Sequence, residues 1–243
     1  MKMSQTLCIG QHHTNHCEDY ILSAPLGTTR HLYAILDGCT MGNESYFAAT
    51  LCGKILKKIA LERSYLELKQ PAQPELQLEV KTIVQRLFQE LKLIKNQLLL
   101  DKYDLLSTLI SLIWDELQNA GHVLVIGDGL VFQNGQVHSF DQGNQPDYLG
   151  YHLEEDFEAW FAQQNQQLHI PDFQDLSICS DGILSFAPFD NGVYPNAPDP
   201  VYFLLESRQH EEKIKMLDKK VSILEKEYGV KPTDDLAIIR LMK

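Results

Sequence analysis

The chain has 243 residues and a formal net charge of −12 at pH 7, from 33 acidic and 21 basic side chains. This length can bury one sizeable core, and we expect a single domain over residues 1–243. The negative charge argues against a surface that binds nucleic acid or an anionic membrane.

Strands are predicted first along the chain, at residues 6–11, 20–24 and 31–36. Two amphipathic helices follow, one beginning at residues 43–45 and one spanning residues 75–98. Their apolar residues recur three and four positions apart, as on one face of a helix. Pro71 and Pro74 separate them. We expect both helices to pack on a sheet.

Strands resume in the second half, at residues 107–114, 122–126 and 176–179. Asn134-Gly135 lies between two short apolar runs, which indicates a two-residue hairpin turn. An acidic N-terminus favours a short helix at residues 154–164.

The last part of the chain combines a proline-rich loop, a helix and a strand. The loop covers residues 187–200, and the helix is expected from about residue 201 to residue 228, where Gly229 ends it. Residues 236–241 form the closing strand. Because blocks of hairpin-linked strands alternate with blocks of helices, the order predicts an α+β sandwich with sheets inside and helices outside.

Five cysteines form no Cys-x-x-Cys pair: Cys8, Cys17, Cys39, Cys52 and Cys179. Their apolar surroundings indicate free thiols in a reducing compartment. No run approaches the ~18 apolar residues of a membrane span, and no apolar signal segment opens the chain. We therefore expect a cytoplasmic protein with no membrane contact.

Acidic residues border the predicted strands at four places, which are Glu18-Asp19, Asp37-Gly38, Asp181-Gly182 and Asp234-Asp235. For one Asp-Gly pair alone, a turn is the simpler interpretation. A carboxylate at the end of a buried strand is unfavourable unless it is solvated, paired or bound to a cation. Carboxylates without softer ligands favour hard divalent cations, so the four places together predict a shared metal site and phosphate chemistry.

Three of these carboxylates, on Asp37, Asp181 and Asp234, converge on one rim if their strands are neighbours. Glu18 would join them from another strand. Two ions about 4 Å apart at such a rim would lower the pKa of a shared water and direct it at phosphorus. We expect the glycines after the first two aspartates to allow tight turns there.

Six short motifs occur in order along the chain: Cys17-Glu18-Asp19, Asp37-Gly38, Ser107-Thr108-Leu109, Gly127-Asp128-Gly129, Ser180-Asp181-Gly182 and Asp234-Asp235-Leu236-Ala237. Each is weak by itself. Together they resemble the motif series of the metal-dependent Ser/Thr protein phosphatases of type 2C, also called the PPM family. The resemblance covers nearly the whole chain. It implies a four-layer α-β-β-α sandwich with two central, mainly antiparallel sheets flanked by helix pairs.

The resemblance also implies an activity, which is hydrolysis of phosphoserine and phosphothreonine by water or hydroxide bound to a dinuclear Mn²⁺ or Mg²⁺ centre. Asp37 would bridge the ions, and Asp128 with Asp181 would support a third, weaker one. The implied catalytic residues are Glu18, Asp37, Asp181 and Asp234. The implied metal-site residues are Glu18, Asp19, Asp37, Gly38, Asp128, Asp181 and Asp234. The partner would be a phosphorylated protein that a Ser/Thr kinase modifies, and we expect a monomer.

The chain departs from the family pattern beside the acidic motifs. An Arg that holds phosphate in the family is missing before Glu18, and His13 and His16 are the candidate phosphate donors there. Cys39 replaces the His that often follows Asp-Gly, either as a reactive thiol or as a small spacer. The loop between residues 143 and 171 is too short for a large flap domain, so we expect it to contribute little to substrate selection.

Other functions stay open. A phosphatase fold that has lost turnover would be a binding or regulatory module, and the missing Arg motivates this alternative. A two-metal nuclease or another phosphohydrolase fits the carboxylates, although the charge of the chain disfavours a polyanion. A zinc site would use His12, His13, His16 and Cys17, but their spacing matches no Cys/His pattern.

Overall fold

The computed structural model describes residues 1–67, 74–143, 146–190 and 192–243, so Pro71 and one position of the predicted 187–200 loop lie outside the described residues. The strands in chain order are β1 (Lys2–Cys8), β2 (Tyr20–Pro25), β3 (Arg30–Leu36), β4 (Leu109–Asp115), β5 (Ala120–Ile126), β6 (Gly129–Gln133), β7 (Gln136–Phe140), β8 (Gln167–Ile170), β9 (Asp175–Cys179), β10 (Phe186–Pro188), β11 (Val230–Pro232) and β12 (Leu236–Met242). The α-helices are α1 (Ser45–Glu67), α2 (Leu76–Leu98), α3 (Phe157–Phe161) and α4 (Met216–Tyr228).

Two five-stranded sheets form the centre of the molecule. The first, sheet A, has the strand order β1-β12-β9-β6-β7, and the second, sheet B, has the order β2-β3-β4-β5-β8. Neighbouring strands in both sheets are antiparallel. The short strands β10 and β11 pair separately.

Three apolar layers hold the sheets and helices together. Trp114, Ile178 and Ile239 belong to the layer between the two sheets. The helices α1 and α2 cover the outer face of sheet B, and α4 with a short helical segment covers the outer face of sheet A. This arrangement confirms the predicted sandwich of two antiparallel sheets with helices outside. No helix in the described ranges has both the length and the apolar character needed to cross a membrane.

The hairpin prediction at Asn134-Gly135 is confirmed. Gln133 pairs with Gln136, which leaves two residues in the turn. Their φ angles are +50° and +87°. Positive φ at both central positions matches the right-handed twist of the flanking strands, and Asn and Gly adopt it at little strain.

The long helix predicted from residue 201 to residue 228 is wrong. The chain forms a short π-helical segment, Tyr202–Glu206, and a separate helix α4 from Met216 to Tyr228. Buried side chains from elsewhere take the carbonyls that end the first segment: Lys220 Nζ donates to Phe203 O and Arg240 Nη1 donates to Leu204 O, each at 2.7 Å. Hydrogen bonds from these distant side chains therefore take the place of the backbone hydrogen bonds that would have continued the helix.

Smaller differences concern element boundaries. The first strand is Lys2–Cys8 rather than residues 6–11, and strand β8 was not predicted. The short helix covers only Phe157–Phe161, where Asp156 Oδ1 accepts a hydrogen bond from Ala159 N at 2.9 Å. This N-cap places the start of the helix after the acidic residues that had suggested it.

Candidate active site

Carboxylates from both sheets meet at one end of the sandwich. Asp19 precedes β2 and Asp37 follows β3, both in sheet B, whereas Asp181 follows β9 and Asp234 precedes β12 in sheet A. Asp37 lies close enough to the other three for their charges to act on its ionisation. The sandwich therefore assembles acidic residues that are about 200 positions apart in the chain.

Burial and mutual repulsion raise the pKa values of this group. For Asp37, burial is the largest cause, followed by the negative charges of Asp19 and Asp181, and its pKa lies well above the ordinary value. Burial also raises the pKa of Asp19 to about 8, although Ser180 Oγ donates a hydrogen bond to Asp19 Oδ2 at 2.7 Å. Burial, then the charge of Asp234, raises the pKa of Asp181. Such carboxylates require a proton or a cation.

Several carboxylate oxygens in this region are buried without a hydrogen-bond partner. They are Oδ1 of Asp19, Asp128 and Asp181. Asp128 connects the two sheets between β5 and β6, and burial with the charges of Asp181 and Asp141 raises its pKa to about 6. Gly127 and Gly129 flank it with φ angles of +87° and +144°, which side chains rarely adopt.

The donor set fits a hard divalent cation in its chemistry, because it consists of buried carboxylate oxygens. Asp19 and Asp37 lie close enough for each to act on the ionisation of the other. Among the described residues, no three His, Cys, Asp or Glu side chains form a ready-made ligand shell. The region thus offers carboxylate oxygens without a hydrogen-bond partner, as an ion would need, but no complete set of ligands around one point.

Glu18 is held by hydroxyl groups from the segment after β3. Ser45 Oγ donates to Glu18 Oε1 at 2.5 Å, and Thr40 Oγ1 donates to Glu18 Oε2 at 3.2 Å. These bonds orient the carboxylate without neutralising it. Neither hydroxyl was identified from the sequence, since nothing in their local pattern links them to a residue 22 or more positions away.

The acidic pair before β12 has two different roles. The Asp234 side chain is 52% exposed, whereas that of Asp235 is 1% exposed. Asp235 accepts hydrogen bonds from Gly10 N at 2.7 Å and from Glu18 N at 2.5 Å. Asp235 therefore ties the segment that carries Glu18 to the start of β12. The sequence singled out Asp234 because it could not show which of two adjacent carboxylates faces inward.

Gly38 and Gly182 make room for neighbouring backbone oxygens. Neither has a positive φ angle, so a left-handed turn does not explain them. A Cβ atom at Gly38 would lie 1.9 Å from Ser45 O, and one at Gly182 would lie 1.9 Å from Asp235 O. The acidic residues Glu18, Asp37, Asp181 and Asp234 are called the acidic rim below. Both glycines allow another part of the backbone to approach this rim closely.

The two candidate phosphate donors lie in different surroundings. His13 Nδ1 is 3.0 Å from Asp235 Oδ2, and His13 Nε2 is 3.8 Å from Glu18 Oε1. Burial lowers the pKa of His13, but the contact with Asp235 and the charges of Glu18 and Asp234 together outweigh burial and raise it above the ordinary value. His16 is exposed and its ring lies 4.3 Å from that of Tyr46. Only His13 contacts the carboxylates.

The remaining residues with reactive side chains in these motifs are Cys39, Ser107 and Cys17. Each contacts apolar side chains or a backbone oxygen rather than the carboxylates. Cys39 is buried and packs with Leu106 and Tyr148. Ser107 is buried, and its hydroxyl donates to Thr108 O at 2.9 Å. The Cys17 thiol lies against Cys8 O at 3.9 Å, and the zinc hypothesis gains no support because no such ligand group occurs in the described ranges.

Comparison with known proteins gives consistent results. The family model for protein phosphatase 2C matches residues 10–221. No curated protein sequence matches the chain. The catalytic domain of the serine/threonine phosphatase PstP, solved with two manganese ions, is 13% identical, with 98% of this chain and 96% of that chain covered and a TM-score of 0.61.

Two further solved structures have the same architecture. The serine/threonine phosphatase Stp1 from Staphylococcus aureus is 12% identical, with coverage of 99% of this chain and 94% of that chain and a TM-score of 0.62. RsbX, solved with magnesium, is 14% identical, with 98% and 92% covered and a TM-score of 0.57. At these identities the structural likeness shows the fold.

Proposed function

Because the chain belongs to the protein phosphatase 2C family, we propose that it is a metal-dependent phosphatase that removes phosphate from phosphoserine and phosphothreonine in proteins. One observation carries the proposal: the carboxylates of buried Asp19 and of half-buried Asp37 and Asp181, from two facing sheets, meet with raised pKa values. The fold places these carboxylates next to one another, so their negative charges repel. A bound cation would remove this repulsion.

The proposed metal residues are those that border the acidic rim. Glu18, Asp37, Asp181 and Asp234 would hold two Mn²⁺ or Mg²⁺ ions, with the Gly38 carbonyl beside them. Asp19 would orient its neighbour Asp37, and Asp128 with Asp181 would support a third ion. Bound ions of this type supply a low-pKa water and neutralise phosphate charge.

The protein's own groups hold the reacting parts in place. Ser45 and Thr40 orient Glu18, so its carboxylate is fixed before substrate arrives. His13 lies between Glu18 and Asp235, and its imidazole is the proposed donor to a phosphate oxygen in place of the missing Arg. Orientation of this kind lowers the entropic part of the barrier. His16 would contribute only at the rim, from its position on Tyr46.

The second candidate function is a binding or regulatory module that has lost turnover. The absence of an Arg at the phosphate position and of a preformed ligand shell in the described residues favours this candidate. It would bind divalent ions or phosphoprotein without hydrolysis. We propose in either case a monomer that acts in the cytoplasm on proteins phosphorylated by a Ser/Thr kinase.

Two measurements distinguish the candidates. Hydrolysis of p-nitrophenyl phosphate and of a phosphothreonine peptide is followed with Mn²⁺, with Mg²⁺ and with EDTA, and calorimetry measures Mn²⁺ binding to the same preparation. The phosphatase proposal expects metal-dependent turnover that EDTA abolishes. Metal binding with no turnover of either substrate would favour the binding module, and turnover that persists in EDTA would contradict the metal site.

A further inference from the structure

Three loops pack together beside Asp37. They are residues 39–45 after β3, residues 101–106 before β4, and residues 147–152. Backbone hydrogen bonds join them: Cys39 N donates to Leu106 O at 3.2 Å, and Leu149 N donates to Ser107 O at 3.0 Å. A third bond, from Thr108 N to Asp37 O at 2.9 Å, links these loops to the acidic rim.

Two glycines let these loops approach one another closely. A Cβ atom at Gly42 would lie 2.9 Å from Tyr103 O, and one at Gly150 would lie 2.6 Å from Leu105 O. Both neighbours are backbone atoms, which cannot move aside as a flexible side chain can. Close backbone packing therefore fixes the positions of the three loops relative to one another.

The surface of this corner is apolar and aromatic. Met41, Tyr103 and Tyr151 are 67%, 47% and 40% exposed. Beneath them Tyr148 is 7% exposed, and its ring meets that of Tyr151 edge-on at a centroid distance of 5.5 Å. We call these residues (Met41, Tyr103, Tyr148 and Tyr151) the aromatic corner. Exposed groups of this kind next to a reaction site mark a binding surface.

The aromatic corner is continuous with the site. The Tyr148 ring packs on Cys39, two positions after Asp37, and the Asp37 charge reaches the Tyr148 hydroxyl. A substrate whose phosphate group occupies the acidic rim would have its neighbouring side chain within reach of this surface. The segment expected to contribute little to selection thus supplies two of the four aromatic-corner residues, Tyr148 and Tyr151.

Charges around the aromatic corner are mostly negative. Asp101 and Asp104 accept backbone hydrogen bonds within their own loop, and Asp104 also accepts from Asn43 Nδ2 at 2.7 Å. One cation, Lys102 Nζ, lies 5.0 Å from the Tyr103 ring centroid. These carboxylates would repel an acidic side chain next to the phosphorylated residue.

We propose that the aromatic corner binds the side chain adjacent to the phosphorylated residue and selects substrates with an aromatic or large apolar residue there. The inference rests on the proposed phosphatase function of the same site. Flat apolar side chains stack on tyrosine rings and on a methionine thioether, and both surfaces are available here. An acidic residue at the same position is disfavoured.

The test uses phosphothreonine peptides that differ at one flanking position, with Phe, Ala or Glu at each of the two positions on either side. For wild-type protein with Mn²⁺, kcat/KM and the dissociation constant from fluorescence anisotropy are both measured. We expect one position at which Phe improves both values roughly tenfold over Ala. Glu there should be the weakest of the three.

The matched variants are Tyr151→Ala and Tyr103→Ala, with Tyr65→Ala and Tyr202→Ala as exposed-tyrosine controls outside the corner. The preference for Phe should disappear in the corner variants and persist in the controls, while turnover of the Ala peptide changes little. Equal values for Phe and Ala at every position, or a preference that survives both corner variants, would overturn the inference. If no peptide is hydrolysed, the phosphatase proposal fails, and the dissociation constants alone decide whether the aromatic corner binds the flanking residue.

Discussion

An aspartate lies at or near each end of strand β9, and the two have opposite surroundings. Asp175, at the start of the strand, receives hydrogen bonds from Arg240 Nε at 2.8 Å and from Arg240 Nη2 at 2.5 Å. Asp181, just after the other end, has an unpartnered Oδ1 and a pKa raised by burial and by Asp234. One carboxylate is neutralised within the protein, and the other belongs to the proposed metal site.

Around Asp175, the buried charged side chains are hydrogen-bonded to other groups of the protein. Besides the carboxylate, Arg240 donates to Leu204 O, Glu206 O and Ser207 O, and Lys220 donates to Phe203 O and Ser207 O. A buried ion pair with all its donors used holds the structure together. The contrast distinguishes carboxylates that the protein itself neutralises from the unmatched carboxylates of the proposed metal site.

The largest effect is expected from Asp181→Asn. Loss of a proposed metal ligand should lower kcat/KM about a thousandfold, or roughly 4 kcal/mol of barrier lowering. Removing one repelling charge should leave the free energy of unfolding unchanged or higher. Kinetics with Mn²⁺ and urea denaturation measure the two quantities. Asp37→Asn should behave alike, and normal turnover in either variant would refute the site assignment.

The second effect should appear at the opposite end of the same strand. Asp175→Asn leaves the buried Arg240 guanidinium without its carboxylate, and we expect the free energy of unfolding to fall by roughly 3–5 kcal/mol. Turnover at a temperature where the variant is folded should stay close to wild type. Glu158→Gln, which removes an exposed partner of Lys81, is the control and should change stability by less than about 1 kcal/mol. A stable Asp175→Asn variant would remove the contrast between the two ends.

The third effect is stabilisation by the metal itself. At a hundred times its dissociation constant, Mn²⁺ should add about 2.7 kcal/mol to the free energy of unfolding, because an ion that binds only the folded state shifts the equilibrium toward it. Thermal unfolding with and without EDTA measures this. The gain should be absent in Asp37→Asn and retained in Asp175→Asn. An equal gain in both variants would mean that the ion binds elsewhere.

The smallest effect concerns Lys220, which is buried beside Arg240. Burial, then the charge of Arg240, lowers the pKa of Lys220 from 10.5 to about 8. Between these values the unfolded chain binds more protons than the folded one, so the stability of the wild type should rise with pH in this window. Relative to Lys220→Met, we expect a gain of about 2 kcal/mol between pH 7.5 and pH 9.5 in urea denaturation. Parallel pH profiles for the two proteins would contradict the lowered pKa.

Sequence patterns predicted the parts of the fold that depend on neighbours in the chain. The periodicity of α1 and α2, the Asn134-Gly135 turn and most strands were visible because apolar spacing and turn chemistry act over a few residues. The long helix before Gly229 failed for the same reason. Its pattern was helical, but Lys220 and Arg240 side chains take the carbonyls that would have continued it.

By itself the sequence determined the sandwich architecture, the family resemblance and the identity of the acidic residues, because residue type and order are sufficient for these. Which carboxylates are matched and which are not was decided only by the tertiary structure. Asp175 and Asp181, like Asp234 and Asp235, look alike in the sequence. Their partners and exposure depend on residues far away in the chain, and electrostatic energy depends on distance in space. The same holds for the aromatic corner, whose members come from three separate loops.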